Sequence, residues 1–259
     1  MNILQSALLG IIEGATEYLP ISSTFHLIWT GKLLGIPQTE FQKLFEVVIQ
    51  SGAILSVVVL FFKTIFEEKR LIKKVLVSFF PTAVVGLLLY KVIKNIFFEN
   101  LVLQLVVFVS VGVLFIVFEK IYKKEGLPKN ADEISVKEAV VVGLVQSLAI
   151  IPGVSRAGAV ILALMYLGVN RKDAARYSFL LAIPTLLAAS GLDLIKSRAV
   201  LTNQTGNMLL LTIGFTFSFI SALVVVKWFI SYLSKHDLKL FGWYRLALAI
   251  VLLSLAKNL

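Results

Sequence analysis

Cysteine is absent from this chain of 259 residues, which excludes disulfides and thiolate metal sites. Charge is scarce: 15% of the residues are charged, against roughly 25% in soluble domains. No polar stretch is long enough for a soluble domain of useful size, because apolar segments recur from end to end. A basic n-region is missing too. Met1 to Ile12 carries no Lys or Arg and runs straight into Glu13, so the N-terminus is expected to be mature sequence rather than a cleaved signal peptide. What the chain has instead is 58% hydrophobic residues and a mean hydropathy of +0.92. Water is the wrong solvent for such a surface, and residues 1–259 are expected to form a single all-α polytopic membrane domain.

A spanning helix needs about 20 mostly apolar residues. Six stretches come close: 44–62, 75–94, 101–118, 177–192, 207–226 and 245–257. Two further apolar regions, 3–35 and 138–168, are interrupted midway by Leu19-Pro20-Ile21-Ser22-Ser23-Thr24 and by Ile151-Pro152-Gly153-Val154-Ser155-Arg156. Each reads as a helix that stops inside the bilayer and turns back. Irregular backbone at that depth is tolerated only where protein or a wet cavity surrounds it, so the two re-entrant hairpins should face each other in the interior.

The net charge of +10 does not point to nucleic acid, since the basic residues lie in short loops rather than along one stripe. Loops 63–74, 119–137, 170–176 and 227–244, with Arg245 at a helix edge, hold 17 Lys and Arg. The other face holds seven: Lys32, Lys43, Lys91, Lys94, Lys196, Arg198 and Lys257. By the positive-inside rule the first face is cytoplasmic and both termini lie outside. Three spans separate the hairpins, which are therefore inverted relative to each other. Self-similarity agrees: Gly10-Ile11-Ile12-Glu13 reads against Gly143-Leu144-Val145-Gln146, and Pro20-Ile21-Ser22-Ser23-Thr24 against Pro152-Gly153-Val154-Ser155-Arg156. The expected repeat halves are approximately 1–118 and 137–259.

The intramembrane polar residues cluster at the two breaks. Glu13 and Glu17 are four apart on a helix, so both carboxylates project from one face within an apolar stretch. Burying either charge is costly unless it is paired, hydrated or metal-bound. Capping the broken helix is the bland reading; a working site is the favoured one, because Ser22, Ser23, Thr24 and His26 follow within ten residues. Ser22-Ser23-Thr24 falls where a second half-helix should begin, and free N–H groups there make an anion site, or the hydroxyls simply cap. His26 is open to several readings: it orients a nucleophile, moves a proton, is itself the nucleophile, or forms a structural hydrogen bond. Arg156 is the single basic residue between Lys137 and Arg171, and its planar fork suits phosphate or the carboxylates of the first hairpin. Glu46 and Gln50 are weaker candidates for polar lining.

The string Glu13-Gly14-Ala15-Thr16-Glu17-Tyr18-Leu19-Pro20-Ile21-Ser22-Ser23-Thr24-Phe25-His26 resembles the glutamate-rich motif of bacterial undecaprenyl-diphosphatases, the bacitracin-resistance family. Pro152-Gly153-Val154-Ser155-Arg156-Ala157-Gly158 resembles its second motif, and 45–50 and 177–184 also look like family segments, so the resemblance covers essentially the whole chain. Phe25 stands where the family usually has glycine, and Ala157 where it usually has serine; neither touches the catalytic positions.

The resemblance implies hydrolysis of undecaprenyl pyrophosphate to undecaprenyl phosphate and inorganic phosphate, which recycles the lipid carrier for peptidoglycan synthesis. It implies Ser23 as nucleophile, Arg156 as stabiliser of the transferring phosphoryl group, and Glu13, Glu17 and His26 as handlers of protons or a divalent cation. Ser22, Thr24, Gly153 and Ser155 are expected to bind substrate. Two glutamates beside a phosphate anion would repel it, so Mg²⁺ or Ca²⁺ held by Glu13 and Glu17 is expected. Expected partners are a prenyl pyrophosphate lipid, membrane lipids and, as an alternative to a monomer, a second copy in a homodimer. The implied location is the bacterial inner membrane, with the site opening to the outer face. The rival reading is a transporter or flippase of an anionic lipid or solute, because broken helices in inverted repeats also build such proteins. The density of proton-transferring groups around Ser23 favours the enzyme.

Overall fold

The computed structural model of the chain describes residues 1–37, 39–97, 100–122, 129–196 and 207–256. The expected span end at Lys257 and the loop cations Lys123, Lys124 and Arg198 lie outside these residues. Helices α1 (Ile3–Thr16) and α2 (Ser23–Leu33) flank the first break, followed by α3 (Glu40–Leu60), the short α4 (Phe62–Glu67), α5 (Lys69–Phe97) and α6 (Leu101–Ile121). Helices α7 (Val136–Ser147) and α8 (Arg156–Tyr166) flank the second break, followed by α9 (Arg171–Lys196), α10 (Asn207–Leu233) and α11 (Lys239–Ala256). Among the described residues every regular element is helical.

Among the described residues four stretches are long and apolar enough to cross a membrane: Glu40–Leu60, Lys69–Leu89, Leu101–Ile121 and Met208–Leu233. Large apolar side chains such as Phe80, Leu88, Val102, Val224 and Ile250 stand exposed on the outside, a surface that lipid solvates and water does not. The fold is that of an all-helical membrane protein.

The helices generally outrun their apolar cores, because polar ends beyond the hydrocarbon can be capped. Thr39 accepts from the Gln42 N–H at the start of α3, Asn100 from the Leu103 N–H at the start of α6, and Ser135 with Glu138 closes a reciprocal box on α7. This lengthening overturns one expectation. α11 begins at Lys239, not at 245, so Arg245 is no loop-edge cation; it lies inside the helix and is 0% exposed. Removing it leaves sixteen cations against seven, so the charge asymmetry between the two loop sets survives.

The closest helix pairs meet through glycine. α1 packs on α10, where a Cβ at Gly10 would lie 2.3 Å from the Gly214 carbonyl oxygen and one at Gly14 2.1 Å from that of Ser218. α7 packs on α5 in the same manner, with a Cβ at Gly143 only 2.0 Å from the Ser78 carbonyl oxygen. Such proximity lets hydroxyls cross between backbones: Ser6 donates to Leu210 O at 2.6 Å, Ser78 to Ala139 O at 2.6 Å, and Thr82 to Gly143 O at 2.8 Å. α3 packs against both α9 and α10, α5 against α9, and α6 against α11.

Ion pairs gather the basic loops. Glu119 accepts from Arg171 Nη2 at 2.5 Å and from the Leu238 N–H at 3.0 Å, and Arg176 pairs with Glu68. These contacts draw the ends of α4, α6 and α10 and the start of α9 to one end of the bundle.

Candidate active site

The first break begins at Glu17, the C-cap of α1, and closes at Ser22, whose φ of +67° lies in the left-handed region that a serine rarely adopts. α2 then starts at Ser23, where the sequence placed it. The Ser22 side chain makes no capping bond, so the first N–H groups of α2 stay available to a ligand. The second break behaves differently. Ser155 caps α8 by accepting from the Gly158 N–H at 3.2 Å, and its hydroxyl donates to the Leu19 carbonyl at 3.2 Å, tying one break to the other.

Across this tie lies a buried ion pair. Arg156 Nη2 donates to Glu17 Oε1 at 2.8 Å and Nη1 to the Ser178 carbonyl at 2.9 Å; the two side chains are 9% and 5% exposed. Glu17 Oε2 accepts from Ser23 Oγ at 2.5 Å, a short charge-assisted bond. One carboxylate thus holds a hydroxyl from the first half and an arginine from the second.

These groups face a cavity of about 140 Å³, room for a phosphoryl group or for a few waters at roughly 30 Å³ each. Glu17, Ser22, Ser23, Thr24, Ser155 and Arg156 line it from the two breaks. Gln50 from α3, Thr82 from α5, Gln146 from α7 and Thr185 from α9 complete the polar wall. Gln146 Nε2 donates to Thr82 Oγ1 at 2.8 Å and to Thr185 Oγ1 at 3.1 Å. Gln146 carried a signal, since its segment reads against that of Glu13 in the sequence; Thr82 and Thr185 carried none, because isolated threonines in apolar helices are common.

Three expected residues stand elsewhere. Glu13 is 1% exposed and sits behind the cavity, within electrostatic reach of Glu17, Glu46 and Arg156; neither of its oxygens finds a hydrogen-bond donor among the described residues. Gly153 turns away from the cavity with φ +99°, and a Cβ there would lie 2.8 Å from the Gln104 carbonyl oxygen. His26 faces α11. Its Nδ1 lies 2.8 Å from the Ser22 carbonyl, which can only accept, so Nδ1 carries a proton, and its Nε2 shares a hydrogen bond with Tyr244 Oη at 2.8 Å. The group bonded to the Ser23 hydroxyl is Glu17.

Phe25, one of the two departures noted in the sequence motifs, stacks on Phe108 with centroids 3.9 Å apart, inside a buried cluster with Trp29, Leu105, Ala249 and Leu252. It anchors α2 to α6 and α11.

Fold and pocket together define a helical membrane protein with a small chamber where two helix breaks meet. The model of the family "Bacitracin resistance protein BacA" matches residues 6–251. The chain is 45% identical over 251 residues to the undecaprenyl-diphosphatase of Aquifex aeolicus, covering 97% of each chain. It is 44% identical over 252 residues to that of a Sulfurihydrogenibium species, covering 97% of this chain and 98% of the relative. With the undecaprenyl-diphosphatase of Campylobacter hominis it shares 44% over 253 residues, or 96% of this chain and 97% of the relative. The chain belongs to the BacA family.

Proposed function

We propose that the protein hydrolyses undecaprenyl pyrophosphate to undecaprenyl phosphate and inorganic phosphate in the chamber between the two breaks, recycling the lipid carrier for peptidoglycan synthesis. The relatives' shared activity supports the reaction. The observation that carries the site is the Ser23 hydroxyl held at 2.5 Å on a carboxylate that Arg156 fixes from the other half. Nothing in the comparisons favours transport alone.

In this reading Ser23 Oγ attacks the terminal phosphorus while Glu17 Oε2 takes its proton. The bond from phosphorus to the bridging oxygen breaks, undecaprenyl phosphate departs, and Glu17 returns the proton to the leaving oxygen. Water then cleaves the phosphoserine, releasing inorganic phosphate and restoring the hydroxyl. Phosphoryl transfer depends on positioning and charge, which the Arg156 fork and the uncapped N–H groups of α2 supply. Thr24, Ser22 and Ser155 line the chamber as further contacts for phosphate oxygens. His26, bonded to the Ser22 carbonyl, holds the strained turn that presents Ser23.

A divalent cation fits the donors present. Among the described residues the buried Glu13 carboxylate has no hydrogen-bond donor, it stands beside Glu17, and hard cations such as Mg²⁺ bind through one or two carboxylates plus substrate phosphate. Among the described residues no group of three acidic or histidine side chains could hold it alone, so substrate oxygens would complete its shell. When bound it would neutralise phosphate charge. Chelation is expected to abolish turnover, Mg²⁺ or Ca²⁺ to restore it, and Glu13→Gln to raise the metal concentration needed for half-maximal rate by tenfold or more. Full activity after exhaustive chelation would overturn the assignment.

The architecture we infer is six spans plus two re-entrant hairpins, in halves of approximately 1–118 and 137–259 with inverted topology. Supporting this, α1 on α10 mirrors α7 on α5, and Gly10 and Gly143 occupy matching places in the two crossings. The joined basic loops favour placing that end in the cytoplasm, the chamber opening to the outer face of the bacterial inner membrane. A single cysteine at Lys69 in this cysteine-free chain is expected to resist an impermeant thiol reagent added outside intact cells; rapid labelling there would reverse the orientation.

The direct test of the reaction is product analysis. Purified protein given undecaprenyl pyrophosphate in detergent is expected to yield lipid monophosphate and inorganic phosphate in equal amounts. Unchanged lipid, together with substrate flux across liposomes, would replace the hydrolase with a transporter.

A further inference from the structure

Among the described residues Arg245 is the largest fully buried side chain, and the chemistry above does not use it. Its guanidinium reaches three backbone carbonyls from three separate segments. Nε donates to Pro20 O at 3.0 Å, and Nη1 donates to Gly153 O at 2.9 Å and to Phe108 O at 3.2 Å. Pro20 and Gly153 belong to the two breaks, and each lies three residues ahead of a residue that faces the chamber, Ser23 in one half and Arg156 in the other. Phe108 belongs to α6, whose ring also carries the stacked Phe25 of α2.

Among the described residues no carboxylate pairs with Arg245. Carbonyl dipoles and the faces of Phe108 and Phe115, 4.7 and 5.3 Å from the guanidinium carbon, surround its charge instead. An arginine buried this deeply without a counter-ion is costly, and Gly112 makes room for it: a Cβ at Gly112 would lie 3.0 Å from the Arg245 Cβ. A simple packing residue at this point would be apolar. Carbonyls in a helix break have lost their intrahelical partners, and buried backbone acceptors need donors.

We propose that Arg245 is a positioning residue: one guanidinium locks the Pro20 and Gly153 carbonyls together and so fixes the spacing between Ser23 and Arg156. Its rate effect rests on the hydrolase reading; its effect on the backbone does not. A lysine at 245 keeps the charge but cannot direct planar donors at three carbonyls.

The test uses the full-length protein in detergent, comparing wild type with Arg245→Lys, Arg245→Gln and the milder Gly112→Ala. Hydrogen exchange followed by mass spectrometry needs no substrate. It is expected to rise at least tenfold in segments 17–23 and 151–156, while α3 and α10 keep wild-type protection. In phosphate release, Arg245→Lys and Arg245→Gln are expected to lose at least 30-fold in kcat with KM changed less than threefold. Gly112→Ala, which only nudges the arginine, should lose three- to tenfold and still fold if the others do not. Unchanged exchange at the two breaks, uniform loss of protection everywhere, or a Lys variant with wild-type kcat would each overturn the proposal. An inactive wild type would instead remove the hydrolase reading and leave the exchange result to decide the role of Arg245.

Discussion

Ser23→Ala is expected to lower kcat for phosphate release by more than about 10³-fold, with KM within a few-fold of wild type and thermal stability nearly unchanged. The hydroxyl is bonded to Glu17 at 2.5 Å, and Glu17 keeps its Arg156 partner when the hydroxyl is removed. The variant therefore loses the attacking atom without leaving a buried charge unpaired, which is why folding should survive. The size of the loss distinguishes two roles. A hydroxyl that merely orients a water contributes one hydrogen bond to a charged group, about 1.5–3 kcal/mol, or roughly 10- to 150-fold. A hydroxyl that forms the bond to phosphorus leaves only background turnover. Steady-state kinetics at matched protein folding decides between them, and a deficit within roughly 150-fold would demote Ser23 from nucleophile to orienter.

Arg156→Ala is expected to be comparably severe and to differ in kind. Glu17 is 6% exposed, and removing its cation leaves a carboxylate alone in a low-dielectric site; breaking such a pair typically costs about 3–5 kcal/mol. The charge facing the transferring phosphoryl group disappears as well. We expect kcat/KM to fall by at least about 10³-fold, with raised KM and a lower melting temperature, unlike the Ser23 variant. Arg156→Lys should recover little, because the wild-type fork donates in two directions at once, to Glu17 and to the Ser178 carbonyl. Glu17 and Arg156 act as a unit, so the Glu17→Gln, Arg156→Ala double variant should be scarcely worse than the weaker single one. Additive losses in that cycle would mean the two residues work separately.

The sequence carried the helix breaks and much of the chamber for physical reasons. Proline followed by small polar residues inside an apolar run has one sensible outcome in a bilayer, a helix that stops and starts again, and α2 begins at Ser23 and α8 at Arg156. The expense of an unpaired arginine at that depth called for an anionic partner, either phosphate or a carboxylate of the first break, and Glu17 pairs with it in the structure. Four-residue spacing put Glu13 and Glu17 on one face but could not say where along the axis the chamber ends. One helical turn, about 5.4 Å, separates a lining residue from one buried behind it.

His26 was ambiguous for a different reason. Its ring is set by the Ser22 carbonyl, which the positive φ of Ser22 aims, and by Tyr244 from the far end of the chain; no local pattern contains either. Arg245 was misplaced because the apolar run after it was taken as the whole span. Leu240, Phe241, Gly242, Trp243 and Tyr244 continue the same helix on its N-terminal side, and a stretch of only 13 residues was already too short to cross.

The central claim is that residues from both helix breaks form one hydrolytic site. The measurement that tests it most directly is inorganic phosphate release from undecaprenyl pyrophosphate by purified wild type, Glu17→Gln and Arg156→Ala, each shown by circular dichroism to retain its helices. Wild type is expected to release phosphate robustly and both variants, one from each break, to lose at least a hundredfold. An active wild type with either variant near wild-type rate would contradict a shared site.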